Sequence, residues 1–260
     1  MLELSLMIVS ILSLVNWQLI LVFFVIFLIF LSSEYLVHRR ITRGELSRKY
    51  IHVLIGITLA ASCFILNINQ IILACIILNL SLILADRMFA FLESRKFNSG
   101  SFGAHLKGAF RVYDESQEGV KRWTIGHLIY AIGIALVAII FKSESLFFTT
   151  TLILALADGS AALVGKKYGV YLFRVPGGVK SIEGSVTFFL VTVMIVALYI
   201  LVLNKGEFGE YASLALGYKL AFNVVLVSGI ITASEAIVAY GLDNVTIPLI
   251  SGFLIHHLIT

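Results

Sequence analysis

LADGSAALVGKKYG, residues 156–169, sets a carboxylate, Asp158, inside an apolar run that ends in two lysines. An ionised Asp near a bilayer centre costs roughly 2.5–3.5 kcal/mol on insertion scales, so something must offset it. Asp158, Ala162 and Gly165 share a helix face by their spacing. Gly159, Ala161 and Ala162 are small enough for backbone or ligand to come close. Gly165-Lys166-Lys167-Tyr168-Gly169 then breaks the helix with two cations. Here the acid is placed to hold Mg²⁺ while the lysines meet phosphates. The simpler reading is that small residues pack helices and Asp158 pairs with a lysine. A Walker A loop is excluded, because Gly159 and Gly165 are spaced one residue too far and Lys167 stands where the hydroxyl belongs.

Three further stretches carry suitable residues. In PGGVKSIEGS, residues 176–185, a Pro-Gly-Gly turn leads through Lys180 and Ser181 into a helix start holding Glu183, Gly184 and Ser185. A helix N-terminus suits an anion, although Glu183 also complements the helix dipole by itself. In RKYIHVLIG, residues 48–56, Arg48, His52 and Gly56 fall on one face, with Lys49 beside them. Arg48 and Lys49 suit a phosphate or a headgroup anchor, and His52 suits a phosphate or an alcohol. In ASEAIVAYGLDNVTIP, residues 233–248, Glu235 is a second intramembrane acid. Asp243-Asn244 forms a turn, with Pro248 near the start of the next helix. The loop 93–122 adds Glu118, Lys121 and Arg122, with Gly126 just beyond, and is large enough to cover a nucleotide.

The elements that must position these groups are membrane helices. The chain of 260 residues is 60% hydrophobic and only 13% charged. Soluble domains average about 45–50% and about 25%. Continuous apolar runs, not alternating ones, imply an all-α polytopic bundle in place of a barrel. Spans are expected near 17–37, 50–68, 70–91, 123–141, 146–164, 184–203, 220–240 and 244–259. Residues 2–15 make a partial span or an interfacial helix, so the count is about seven to nine. The chain reads as one domain, 1–260, with 93–122 a long cytoplasmic loop and no cleavable signal peptide. Cys63 and Cys75 lie in apolar segments and imply neither disulfide framework nor zinc site.

Loops 38–49, 86–122 and 165–182 hold sixteen of the nineteen basic residues. Eight spans put all three loops on one side, the cytoplasm by the positive-inside rule. Asp158, Glu183, Glu235, Asp243 and His52 fall on that side too.

In order, RK-x-x-H-x-x-x-G, the acid–Gly–small-residue helix ending in GKKYG, KS-x-EGS and E…DN…P resemble the polyprenol kinase family. That family includes dolichol, phytol, farnesol and geranylgeraniol kinases and a CTP-dependent diacylglycerol kinase. It is more distantly similar to phosphatidate cytidylyltransferases. The likeness spans about 34–250. DGSAALVGKKYG and KSIEGS are its specific parts; the His52 and Asp243 stretches are weaker.

The resemblance implies CTP as phosphoryl donor, a divalent cation such as Mg²⁺, and a membrane lipid alcohol as acceptor. It implies Asp158 as the main acid, and Lys180, Ser181, Glu183, Gly184 and Ser185 as a nucleotide loop flanked by Gly165, Lys166 and Gly169. Some phytol-kinase-like members carry Gly where this chain has Ala157, and a second acid where it has Ala162. That points away from phytol itself. Together with the residue reading, the expected sites are Asp158, Glu183, His52 and Glu235 for catalysis, and Asp158, Asp243 and Asn244 for metal. Lys180, Ser181, Gly184, Ser185, Gly165, Lys166, Lys167, Arg48 and Lys49 are expected to bind nucleotide. The base is open among Asp158, Glu235 and His52.

The expected location is a multi-pass protein of the prokaryotic cell membrane or the eukaryotic endoplasmic reticulum, its active face cytoplasmic. A nucleic-acid partner is not expected. The rival readings are a CDP-lipid synthase and an ion-coupled transporter using Asp158, Glu183 and Glu235.

Overall fold

The computed structural model describes residues 13–41, 45–94, 123–175, 178–203, 214–238 and 241–259. Most of the proposed partial span and of the loop 93–122 lies outside them. The described helices are α1 (Trp17–His38), α2 (Glu45–Ser62), α3 (Ile68–Ser94) and α4 (Trp123–Phe141). Next comes α5 (Glu144–Leu152), which runs through a π turn, Ile153–Ala157, into α6 (Asp158–Tyr168). Then follow α7 (Ile182–Leu198) with a second π turn, Tyr199–Leu203, α8 (Leu214–Ile237) and α9 (Asp243–Leu258).

Among the described residues, three stretches are long and apolar enough to cross a membrane: Glu144–Tyr168, Ile182–Leu201 and Gly217–Ile237. Shorter apolar helices cover Trp17–Ser33, Lys49–Ser62, Ile68–Leu84 and Gly126–Phe141. These features fit a membrane protein. In α1, Leu19, Val22, Ile26 and Ile29 are buried at helical spacing, while Ile20, Phe24, Phe27 and Leu31 are exposed on the outer face. A helix apolar on every side belongs in hydrocarbon or a core.

Local chemistry fixes the helix ends. The second helix stops at Ser62, short of the expected residue 68, because a turn intervenes and Asn67 begins a reciprocal cap. Asn67 Oδ1 accepts from the Gln70 amide and Gln70 Oε1 from the Asn67 amide, both at 3.1 Å. Glu144, in the first turn of α5, accepts from the Ile68 amide at 3.0 Å and ties that same end of the bundle together.

The helix containing α5 and α6 runs through the centre, with Phe147, Ile153 and Leu154 fully buried. Around it pack α2, α4, α7 and α9. The helices α4 and α9 run parallel and close. A side chain on Gly133 would strike the Asn244 carbonyl, and one on Gly252 the Phe141 ring. Pro248 falls inside α9, not at its start. It has no amide to give the Asn244 carbonyl four residues back, and Gly133 packs at that carbonyl.

One element departs from the all-α expectation. The loop between α6 and α7 is an antiparallel hairpin, β1 (Leu172–Val175) and β2 (Gly178–Ser181). Its register pairs Leu172 with Ser181 and Phe173 with Lys180. Pro176 and Gly177, between the two strands in sequence, lie outside the described residues. A four-residue strand lacks the length for a periodic signal to separate it from a loop.

Candidate active site

At one end of the bundle a cavity of about 130 Å³ is lined by Lys49, His52, Gly126, His127, Asp158, Gly241, Asp243 and Asn244. Asp158 is its centre. Lys49 Nζ donates to Asp158 Oδ2 at 2.5 Å, and His52 Nε2 stands 3.4 Å from the same oxygen. All three side chains are largely buried. Lys49 and His52 come from the first turns of α2, and Asp158 follows the π turn directly. Such turns frequently interrupt helices at functional sites.

His52 is held on several sides. Its Nε2 lies 3.1 Å from the Leu154 carbonyl inside the π turn. A carbonyl only accepts, so this nitrogen carries the proton. The ring packs on Tyr130 with centroids 4.1 Å apart, and the Tyr130 hydroxyl donates to the His52 carbonyl at 3.2 Å. Gly56, one turn on, has Tyr130 and Ala155 where a side chain would go, which lets α2 close on α4 and the π turn.

Of the expected residues, His52, Lys49, Asp158, Asp243 and Asn244 are brought together. The Arg48 side chain lies outside what is described; its neighbour Lys49 is the cation that reaches Asp158. Lys180 and Glu235 form a second pair that does not line the cavity. Lys180 Nζ donates to Glu235 Oε1 at 2.6 Å and also to the Glu235 carbonyl. This ties β2 to the end of α8. Both remain within electrostatic reach of Asp158.

The remaining loop residues build the corner between α6, the hairpin and α7. Ser181 caps α7 by accepting from the Gly184 amide at 3.1 Å. A side chain on Gly165 would come within 2.8 Å of the Ser181 hydroxyl, and one on Gly184 within 3.0 Å of the Ala161 carbonyl. Glu183 Oε1 accepts from the Tyr171 amide at 3.2 Å. Glu183 Oε2 and the Ser185 hydroxyl are buried without a hydrogen-bond partner among the described residues. Lys166 and Lys167 are exposed, with Lys167 over the Tyr168 ring. Glu118, Lys121 and Arg122 lie outside the described residues, but Gly126 does reach the cavity.

Sequence reasoning missed His127. It sits in the second turn of α4 and is buried. The signal was the one that drew attention to His52, an imidazole about a turn inside an apolar segment next to a basic loop.

Asp158, Asp243 and Asn244 offer only hard oxygen donors to one cavity. No group of three or more His, Cys, Asp or Glu residues is close enough to hold a metal among the described residues. Mg²⁺ in phosphoryl-transfer sites is commonly bound by one or two carboxylates plus substrate phosphates, not by a complete protein cage. The donor set therefore fits a metal arriving with a polyphosphate.

Comparison with curated proteins finds a phytol kinase from Synechocystis sp. (strain ATCC 27184 / PCC 6803 / Kazusa), 31% identical over 148 residues. The match covers 54% of this chain and 57% of that relative. It supports a polyprenol and phytol kinase-like family for this chain. The chain spans little more than half the length of this phytol kinase relative. No family model matches. No solved structure matches either.

Proposed function

We propose that the protein is a membrane kinase that transfers the γ-phosphate of CTP, as its Mg²⁺ complex, to a lipid alcohol. The observation that carries this reading is the gathering of Lys49, His52, Asp158, Asp243 and Asn244 around one cavity at one end of an apolar bundle. The relative named a phytol kinase supports a lipid-alcohol acceptor. Ala157 and Ala162 favour a dolichol- or diacylglycerol-type alcohol over phytol.

Phosphoryl transfer needs mainly alignment and charge stabilisation. Bound at Asp158, Asp243 and Asn244, the metal would neutralise charge on the β- and γ-phosphates. With a metal held at Asp158, Lys49 would lie beside it and could meet the phosphates. Lys180 and the N-terminus of α7 supply further positive potential nearby. His52 holds Asp158 in place. The basic residues Arg39, Arg40, Lys166, Lys167 and Arg174 accompany this end of the bundle and favour a cytoplasmic active face in a multi-pass chain.

The test uses purified protein in detergent with Mg²⁺, CTP or ATP, and a panel of dolichol, geranylgeraniol, phytol, diacylglycerol and phosphatidic acid. CDP with a phosphorylated alcohol supports the kinase and names its substrate. Pyrophosphate with a CDP-lipid moves the reading to a cytidylyltransferase. No turnover from folded protein turns attention to ion flux. An Asp158→Asn variant that folds and retains full activity overturns the role given to Asp158.

A further inference from the structure

We propose that His127 is a catalytic residue of this cavity, the one that hydrogen-bonds the hydroxyl of the acceptor alcohol. The inference rests on the kinase reading above. The cavity has four walls. Lys49 and His52 come from α2, Asp158 from α6, and Asp243 with Asn244 from the start of α9. Those three walls hold every lining carboxylate and the one lining lysine, so a metal and its triphosphate seat against them. The fourth wall is α4, and its polar side chain is His127.

His52 is not available for the acceptor. Its Nε2 is committed between the Leu154 carbonyl and Asp158, and its ring is clamped on Tyr130. It is a positioning residue for Asp158. His127 is only 6% exposed and therefore shielded from bulk water. It sits about one turn into α4, while the turns that follow bury Tyr130, Ala131 and Ile134 in apolar surroundings. This is a polar-to-apolar boundary of the kind at which the hydroxyl of a membrane alcohol would lie.

A neutral imidazole has one donor and one acceptor nitrogen. The acceptor nitrogen takes the hydrogen bond of the hydroxyl and turns an oxygen lone pair toward the γ-phosphorus. The new O–P bond forms as the bond from the γ-phosphorus to the bridging oxygen breaks. The nucleoside diphosphate leaves with that electron pair, and the hydroxyl proton passes to the imidazole, which gives it up once the products have left and the cavity is open to solvent.

The experiment compares His127→Gln and His127→Asn with the parent, using the alcohol that the parent phosphorylates best. Binding of CTP with Mg²⁺ is measured by calorimetry on the same samples. The expected result is unchanged nucleotide affinity with kcat/KM for the alcohol down by about 100-fold. Unchanged kcat/KM, or nucleotide affinity falling in step with it, overturns the assignment.

A second measurement needs no variant. A geranylgeraniol analogue with a free hydroxyl and a neighbouring diazirine is photolysed on the unmodified protein. Labelling within residues 126–130 supports the assignment, and labelling confined to other helices overturns it. A parent protein that phosphorylates no alcohol overturns the kinase reading and this inference together. An active parent whose His127 variants are equally active overturns this inference alone.

Discussion

Lys49 Nζ and Asp158 Oδ2 meet at 2.5 Å although 109 positions separate them in the chain. The contact joins the first turns of α2 to the residue after the π turn. It answers how an aspartate is tolerated in an apolar helix, because a cation and an imidazole share its oxygen. Lys49→Met leaves that carboxylate buried without its cation, a change that costs about 3 kcal/mol or more. Asp158→Asn removes the charge instead and should cost less. The double variant should therefore unfold at a higher temperature than Lys49→Met alone. Thermal unfolding of the four proteins in one detergent checks the order.

Lys180 and Glu235 are expected to behave as a unit. Lys180→Met strands a buried Glu235, and Glu235→Gln removes the partner of a lysine that is itself largely covered. A double-mutant cycle on unfolding should give a coupling of about 1–3 kcal/mol. A coupling near zero would mean that the hairpin is not fastened to α8 by this pair.

The corner at Ser181 has little room. Gly184→Ala puts a methyl group 3.0 Å from the Ala161 carbonyl and 3.1 Å from the Ser181 hydroxyl. Neither of those neighbours is a flexible side-chain end. The expected loss is about 1–3 kcal/mol. Gly229→Ala, which meets nothing within 4 Å, should leave the unfolding midpoint unchanged or raise it. Ser181→Ala should cost about 1 kcal/mol through the lost cap. Thermal or denaturant unfolding separates the three.

Membrane orientation is accessible by labelling. On a background lacking Cys63 and Cys75, a cysteine at Arg39 or Arg174 should react with an impermeant maleimide only in inside-out vesicles. A cysteine at Phe64, in the exposed turn between α2 and α3, should react only in right-side-out ones. The reverse pattern would place the cavity on the opposite face.

Much of the helical layout was legible because apolar runs are long and their interruptions charged. Helices stand at all eight places where the sequence shows such runs. The hairpin was not legible, since four-residue strands leave no periodic trace. The cluster was readable in part. His52 and Asp158 announced themselves as polar groups in apolar segments, and Asp243-Asn244 as a turn beside one. Lys49 was expected to meet phosphate, and its pairing with Asp158 was not foreseen. A helical wheel gives the face of a helix but not its rotation against a distant neighbour. Lys180 and Glu235 were both singled out, but their pairing depends on how α8 returns to the hairpin, which no local pattern encodes. His127 went unremarked because a single imidazole in an apolar stretch is a weak sign until a cavity forms beside it.

The π turn at Ile153–Ala157 makes the site sensitive to a kind of change that substitutions do not probe. A π turn is in effect one residue inserted into an α-helix. Deleting a residue there would restore regular winding. Everything beyond it would then rotate by about 100° and slide by about 1.5 Å relative to the earlier turns. Asp158 would swing off Lys49, and Gly165 would leave its place against Ser181, with every side chain chemically intact. Chain length between Leu152 and Asp158, more than residue identity there, keeps the carboxylate in phase with its partners.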